Sequence, residues 1–188
     1  MRMITLDETF ARDFDCQWLQ ELPNHDLPRY YYPRGNPEGG HDGLIVHVCP
    51  RTSVPWLGVF AFGSFVPNGK NGLYTWPDPK VLCVVARAQG YIVRVDAPTN
   101  YQTINVRPIL NVISVPSRRM VVFANYTELV AYGESGVAWM SDRLSWDGFT
   151  VTHVTDEHII GTAWDPRVEQ AVTFRVDLAN GQSEGGVF

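Results

Sequence analysis

Apolar and polar positions alternate with a period near two through most of the chain, the mark of strands that bury one face. The clearest run is 144–186. There Phe149, Val151 and Val154 are set among Thr150, Thr152 and His153, His158 to Trp164 forms a second strand, and Ala171 to Leu178 a third. In the third, Val172, Phe174, Val176 and Leu178 share one face and Thr173, Arg175 and Asp177 the other. Turn residues separate these strands: Asp147-Gly148, Thr155-Asp156-Glu157, Asp165-Pro166 and Asn180-Gly181. Gly accepts positive φ, Asp bonds its own backbone and Pro removes a donor. The same grammar recurs upstream in Met120 to Ala124, Leu129 to Tyr132 and Val137 to Trp139. It recurs again in Val81 to Ala86 and Tyr91 to Val95 about a turn at Gln89-Gly90, and in Gly43 to Val48 and Trp56 to Phe62. Hairpins start near Ile45, Val81, Val121 and Ile159, a spacing of roughly 35 to 40 residues, close to the length of a propeller blade.

Three stretches depart from this pattern. Phe10, Phe14 and Trp18 fall at i, i+4 and i+8, behind Thr5 or Asp7 as the cap and ahead of Pro23; the spacing predicts a short N-terminal helix over 7–22. Residues 23–43 hold four prolines, Gly35, Gly39, Gly40 and the run Tyr30-Tyr31-Tyr32, and read as a loop. Asn68 to Gly72 reads as a turn without the spacing of a phosphate-binding loop. Pro108 interrupts an extended stretch from Ile104 to Val115 and marks an edge strand or a bulge.

GVAW at 136–139, LSWDG at 144–148, GTAWDP at 161–166 and FRVDLANGQSEGG at 174–186 together resemble the C-terminal pattern of uncharacterised bacterial β-rich proteins. The hairpins of those proteins are similar to β-propeller blades. The resemblance runs from Val81 onward, lacks the Gly-His pair of a WD repeat, and implies an architecture with no catalytic residues. The expected fold is all-β: antiparallel hairpins over 44–186 form a sandwich or incomplete propeller-like single domain spanning 1–188.

Hydrophobic residues make up 45% of the 188 and charged residues 19%, which fits a globular chain with a core. The net charge of -5 disfavours nucleic acid and anionic membrane as partners, since both select basic surfaces. No apolar run has the length of a transmembrane helix, and the first residues lack a signal-peptide core. Cys16, Cys49 and Cys83 are odd in number and far apart, as in a reducing compartment. These features place the expectation in the cytoplasm.

No strong catalytic or metal motif is present. His47 and Cys49 share a strand face but lack a third ligand with matching spacing. His41-Asp42 sits in a Gly-rich loop, and His153 and His158 flank a turn. Ser135, Ser141 and Ser145 have no nucleophile-elbow context. No metal and no cofactor is expected. The leading expectation is a non-enzymatic protein-binding module, such as an immunity-type inhibitor or accessory subunit. The alternatives are a hydrolase-like enzyme with a loop-built site, or a binder of a small ligand or carbohydrate. The expected partner contacts are Tyr30, Tyr31, Tyr32 and Arg34, with Trp76 as a neighbour, because Tyr, Trp and Arg give large contact area with few torsions to freeze.

Overall fold

In the computed structural model, residues 4–24, 26–34 and 42–187 are described; the expectation for His41 lies outside them. Where one domain is expected, the chain gathers into two compact units, Met1–Ile109 and Leu110–Phe188. Both are all-β, built of small antiparallel, blade-like sheets.

The first unit has β1 (Thr5–Asp7), β2 (Phe14–Leu19), β3 (Arg29–Tyr32), β4 (Gly43–Pro50), β5 (Trp56–Ala61), β6 (Gly72–Thr75), β7 (Val81–Ala86), β8 (Gln89–Arg94) and β9 (Tyr101–Thr103). They form one sheet in the order β2-β4-β5-β3 and another in the order β1-β6-β7-β8-β9. Pairing is antiparallel except that β3 runs parallel to β5 and β1 parallel to β6. The second unit is two meanders. One holds β10 (Asn111–Val115), β11 (Met120–Ala124), β12 (Leu129–Gly133) and β13 (Gly136–Met140); the other holds β14 (Phe149–Val154), β15 (His158–Asp165), β16 (Gln170–Asp177) and β17 (Ser183–Gly185). Ile45, Val81, Val121 and Ile159 fall in β4, β7, β11 and β15, each an inner strand of a different sheet.

The expected helix over 7–22 is not formed. Its residues make β1 and β2 instead. Spacings of four are even, so they satisfy a strand's period of two as well as a helix's turn. Phe14, Cys16 and Trp18 turn toward the core while Asp15 and Gln17 face solvent, and the alternation in Asp13-Phe14-Asp15-Cys16-Gln17-Trp18 is the stronger signal. Asp7 caps an Asx turn, its Oδ1 accepting from the Thr9 N–H at 2.9 Å. The 23–43 loop likewise contains a strand, β3. The turn expected at Gln89-Gly90 lies two residues earlier, at Arg87-Ala88, and Gln89 and Gly90 pair inside the hairpin with Ala86 and Val85.

In each unit the facing apolar side chains of two sheets make one core. The first joins Phe14, Val46, Val48, Trp56 and Phe60 to Leu82, Val84, Tyr91 and Val93. The second joins Val122, Leu129, Ala131 and Trp139 to Ile159, Phe174, Val176 and Leu178. Each core contains a buried indole whose N–H reaches the other sheet. Trp56 Nε1 donates to Val95 O at 3.0 Å, and Trp139 Nε1 donates to Leu178 O at 2.9 Å. Gly58 makes room beside the first indole: a Cβ there would lie 2.6 Å from Phe60 Cε2 and 3.0 Å from Trp56 Cζ3.

Trp56→Phe and Trp139→Phe keep an aromatic ring but strand a buried carbonyl. Each should destabilise the protein by about 1–3 kcal/mol in urea unfolding followed by circular dichroism. Midpoints equal to wild type would show that the indoles act only as apolar filler.

Candidate functional site

The segment expected to bind a partner forms one wall of a concavity of about 220 Å³ in the first unit, lined by Arg29, Tyr30, Tyr31, Tyr32, Arg34, Pro98, Thr99 and Tyr101. Two elements build it: the end strand β3 and the β8–β9 connection. Register with β5 sets the tyrosines, since Tyr30, Tyr31 and Tyr32 lie opposite Gly58, Val59 and Phe60. Alternation then sends Tyr32 inward, where it is 1% exposed, while Tyr30 and Tyr31 are half-buried and Arg29 and Arg34 exposed.

Tyr32 is the pivot of an aromatic cluster. Its ring stacks on Phe60 at 4.6 Å and 14° and meets Tyr101 edge-on at 5.0 Å. Tyr30 meets Trp56 edge-on at 5.5 Å. The Tyr32 hydroxyl donates to Pro98 O at 2.8 Å, and the Tyr101 hydroxyl accepts from the Arg34 N–H at 2.9 Å. Tyr91 adds a further tie, donating to Ala61 O at 3.0 Å. Burial pushes the Tyr91 hydroxyl up to about 12, and burial, with Tyr30 and Tyr101 nearby, raises Tyr32 further still. These phenols are therefore neutral hydrogen-bond donors and serve no acid–base role near neutral pH.

Of the expected contact residues, the structure brings Tyr30, Tyr31, Tyr32 and Arg34 together and adds Arg29 and Tyr101. Trp76 does not line the concavity and is 2% exposed. Tyr32 and Trp76 are thus core residues, and burial removes their rings from direct contact with a partner. Arg29 was legible as a cation next to the tyrosine run. Tyr101 was not, because it lies some 70 residues from Arg34 and only the pairing of Tyr101 with Val93 carries it here.

Several other polar groups form closed structural sets. Arg94 bonds Asp96 at 3.0 Å and Asp78 at 3.1 Å, and Lys80 lies 3.4 Å from Asp96. Desolvation is the largest single influence and works against the Asp96 charge, yet the hydrogen bonds and charges of Arg94 and Lys80 together hold the carboxyl below its usual range. Arg167 grips Asp165 through Nε and Nη2 at 3.0 and 2.9 Å, and that hydrogen bonding lowers the Asp165 carboxyl. The Ser141 and Ser145 hydroxyls donate to Asp142 O and Gly148 O. Cys49 Sγ lies 3.5 Å from His47 Nε2, and no cluster of three metal-ligating side chains occurs among the described residues. His153 pairs opposite Ile160 and His158 opposite Asp177, so the register does not join the two histidines. Burial pushes the Cys16 thiol up to about 11 and raises Cys83 further, which keeps both as unreactive thiols. No helix among the described residues is long and apolar enough to cross a membrane.

No protein-family model matches the chain, and no curated protein does. Among solved structures it is similar to AztD of Citrobacter koseri, with a TM-score of 0.47 and 14% identity over 78% of this chain and 42% of that one. It is also similar to the N-terminal domain of Nup159, with a TM-score of 0.42 and 15% identity over 98% and 53%. A chain in a complex of S. cerevisiae Dbp5 with Nup159 and Gle1 matches with a TM-score of 0.43 and 13% identity over 98% and 52%. The chain thus spans about half the length of these structures or less.

Folding keeps Tyr32 and Tyr91 protonated. Their contribution to stability is complete below the ordinary tyrosine value of about 10 and is lost as pH rises toward the folded values. Urea unfolding should therefore show stability falling between about pH 9 and about pH 11, with a shallower fall in Tyr32→Phe. An equal fall in that variant would mean that Tyr32 ionises freely. At neutral pH, Tyr32→Ala should cost about 3–5 kcal/mol and Tyr31→Ala far less.

Proposed function

We propose that this protein is a non-enzymatic binding module that engages another protein through the Arg29–Arg34 face of its first unit, as an immunity-type inhibitor or an accessory subunit does. One observation carries the reading. On a chain of net charge -5, the concavity of β3 gathers two arginines around half-buried tyrosines. Neither guanidinium meets a carboxylate of the protein among the described residues.

The chemistry of that face is recognition chemistry. Arginine presents a planar fork of donors that matches carboxylates, and tyrosine adds broad contact with a polar tip. The aromatic cluster behind the face fixes the rings before a partner arrives, so little side-chain entropy is left to lose on binding. The partner surface that complements it carries acidic side chains. A hydrolytic reading has no comparable support, because the serines, buried thiols and paired carboxylates described above are engaged in holding the fold.

The test is charge reversal at both exposed arginines, Arg29→Glu with Arg34→Glu, in quantitative affinity capture from the source cells beside wild type. Wild type should enrich a protein that the variant loses while both unfold at the same temperature. With that partner purified, Tyr31→Ala should weaken binding by about 2 kcal/mol. Identical sets of captured proteins would contradict the assignment of the face.

A further inference from the structure

The first unit has a larger cavity, of about 460 Å³, at a different place. Its apolar wall comes from Ile4, Trp18, Leu44, Ile45, Phe62 and Phe65, and its polar groups include Asn71 and Arg87. The volume lies in the range of small-molecule sites. Phe65 is 74% exposed and Phe62 37%, and both line the cavity, so its wall presents apolar surface.

Arg87 and Ala88 form the β7–β8 turn with φ of 46° and 65°. Two left-handed residues in succession are what a type I′ turn needs, but such turns favour Asn and Gly. A backbone held this way by two residues that carry a Cβ is strained, and strain of this kind persists only where the surroundings enforce it. Here they do. The Arg87 N–H donates to Asn71 Oδ1 at 2.8 Å. The Ala88 N–H donates to Lys70 O at 2.9 Å, and Ala88 O accepts from Ile109 N–H at 2.9 Å. The turn is thereby fixed, and the Arg87 guanidinium lies over the Phe62 ring at 4.2 Å. No carboxylate among the described residues pairs with it. Because Asn71 Oδ1 is spent on the turn, its side-chain amide has only Nδ2 donors to offer a ligand in the cavity it lines.

We infer that this cavity is a second site, for a small amphipathic carboxylate. The apolar body of the ligand lies against Trp18, Phe62 and Phe65, and its carboxylate is held by Arg87 with Asn71 Nδ2. A neutral ligand of the same shape fills the cavity equally well but leaves the cation without its partner, so the site discriminates on charge.

The experiment is isothermal titration calorimetry of the intact protein with 1-naphthaleneacetate and with its neutral amide, 1-naphthaleneacetamide. Wild type should bind the acid at least about tenfold more tightly than the amide, as a charge-assisted hydrogen bond allows. Arg87→Gln should abolish that preference while retaining the amide. Phe65→Ser, at a position 74% exposed, should weaken both. The inference is overturned if wild type binds neither compound, if it binds acid and amide equally, or if Arg87→Gln keeps the preference. Charge reversal at Arg29 and Arg34 should leave these titrations unchanged, which separates this site from the protein-binding face.

Discussion

The indole hydrogen bond between sheets is the constraint on which each unit rests. A sheet of four short strands buries one face only when a second sheet covers it. Packing alone leaves the sliding of one sheet over another weakly specified. A buried N–H that must find an acceptor removes that freedom, because losing the bond costs more than making it gains. In the first unit Trp56 reaches Val95 O and in the second Trp139 reaches Leu178 O, each across 39 residues of chain. Both acceptors sit one residue past the end of a strand, β8 or β16. The sequence around them repeats as well, with Arg-Val-Asp at 94–96 and again at 175–177. Hairpins at roughly blade-length spacing and a shared means of joining sheets together describe the chain better than either feature alone.

In the first unit that constraint extends into the candidate binding face. Trp56 is the ring against which Tyr30 packs, and Phe60, in the same strand, is the ring on which Tyr32 stacks. Tyr32 then bonds the β8–β9 connection through Pro98. One set of contacts therefore closes the core and shapes the concavity in front of it. Tyr32 serves the core and Tyr30 both core and face, while the exposed arginines at either end carry charge without carrying fold. This division explains how a short strand at the end of a sheet holds a defined arrangement of side chains.

Much of this was legible in the sequence. Strict alternation in 171–178 fixes that strand and its buried face, since a shift by one residue would put Phe174 and Val176 in water. The blade-length spacing found the inner strand of all four sheets. Two features misled for physical reasons. The i, i+4, i+8 aromatics of 10–18 fit two periodicities at once, and polar Asp15 and Gln17 decide between them. Arg87-Ala88 has no turn signature at all; the turn exists because Asn71, Lys70 and Ile109 hold it from outside the local sequence. The candidate face was half legible. Tyrosines near arginine drew attention to β3, but which tyrosine faces inward depends on register with β5, and both the place of Tyr101 and the lack of a carboxylate partner for the arginines among the described residues are tertiary facts. Trp76 shows the limit of composition, as a tryptophan between strands that belongs to the core.

The central claim is that β3 is a fixed part of the core of the first unit, so that its outer side chains form a preorganised surface. Native-state hydrogen exchange of the β3 amides measures this most directly. If the claim holds, the β3 amides bonded to β5 exchange only through the opening that exposes β5 itself, with the same free energy and the same dependence on denaturant, and Trp56→Phe lowers both together. Exchange of those β3 amides near the rate of an unstructured chain, with β5 still protected, would contradict it.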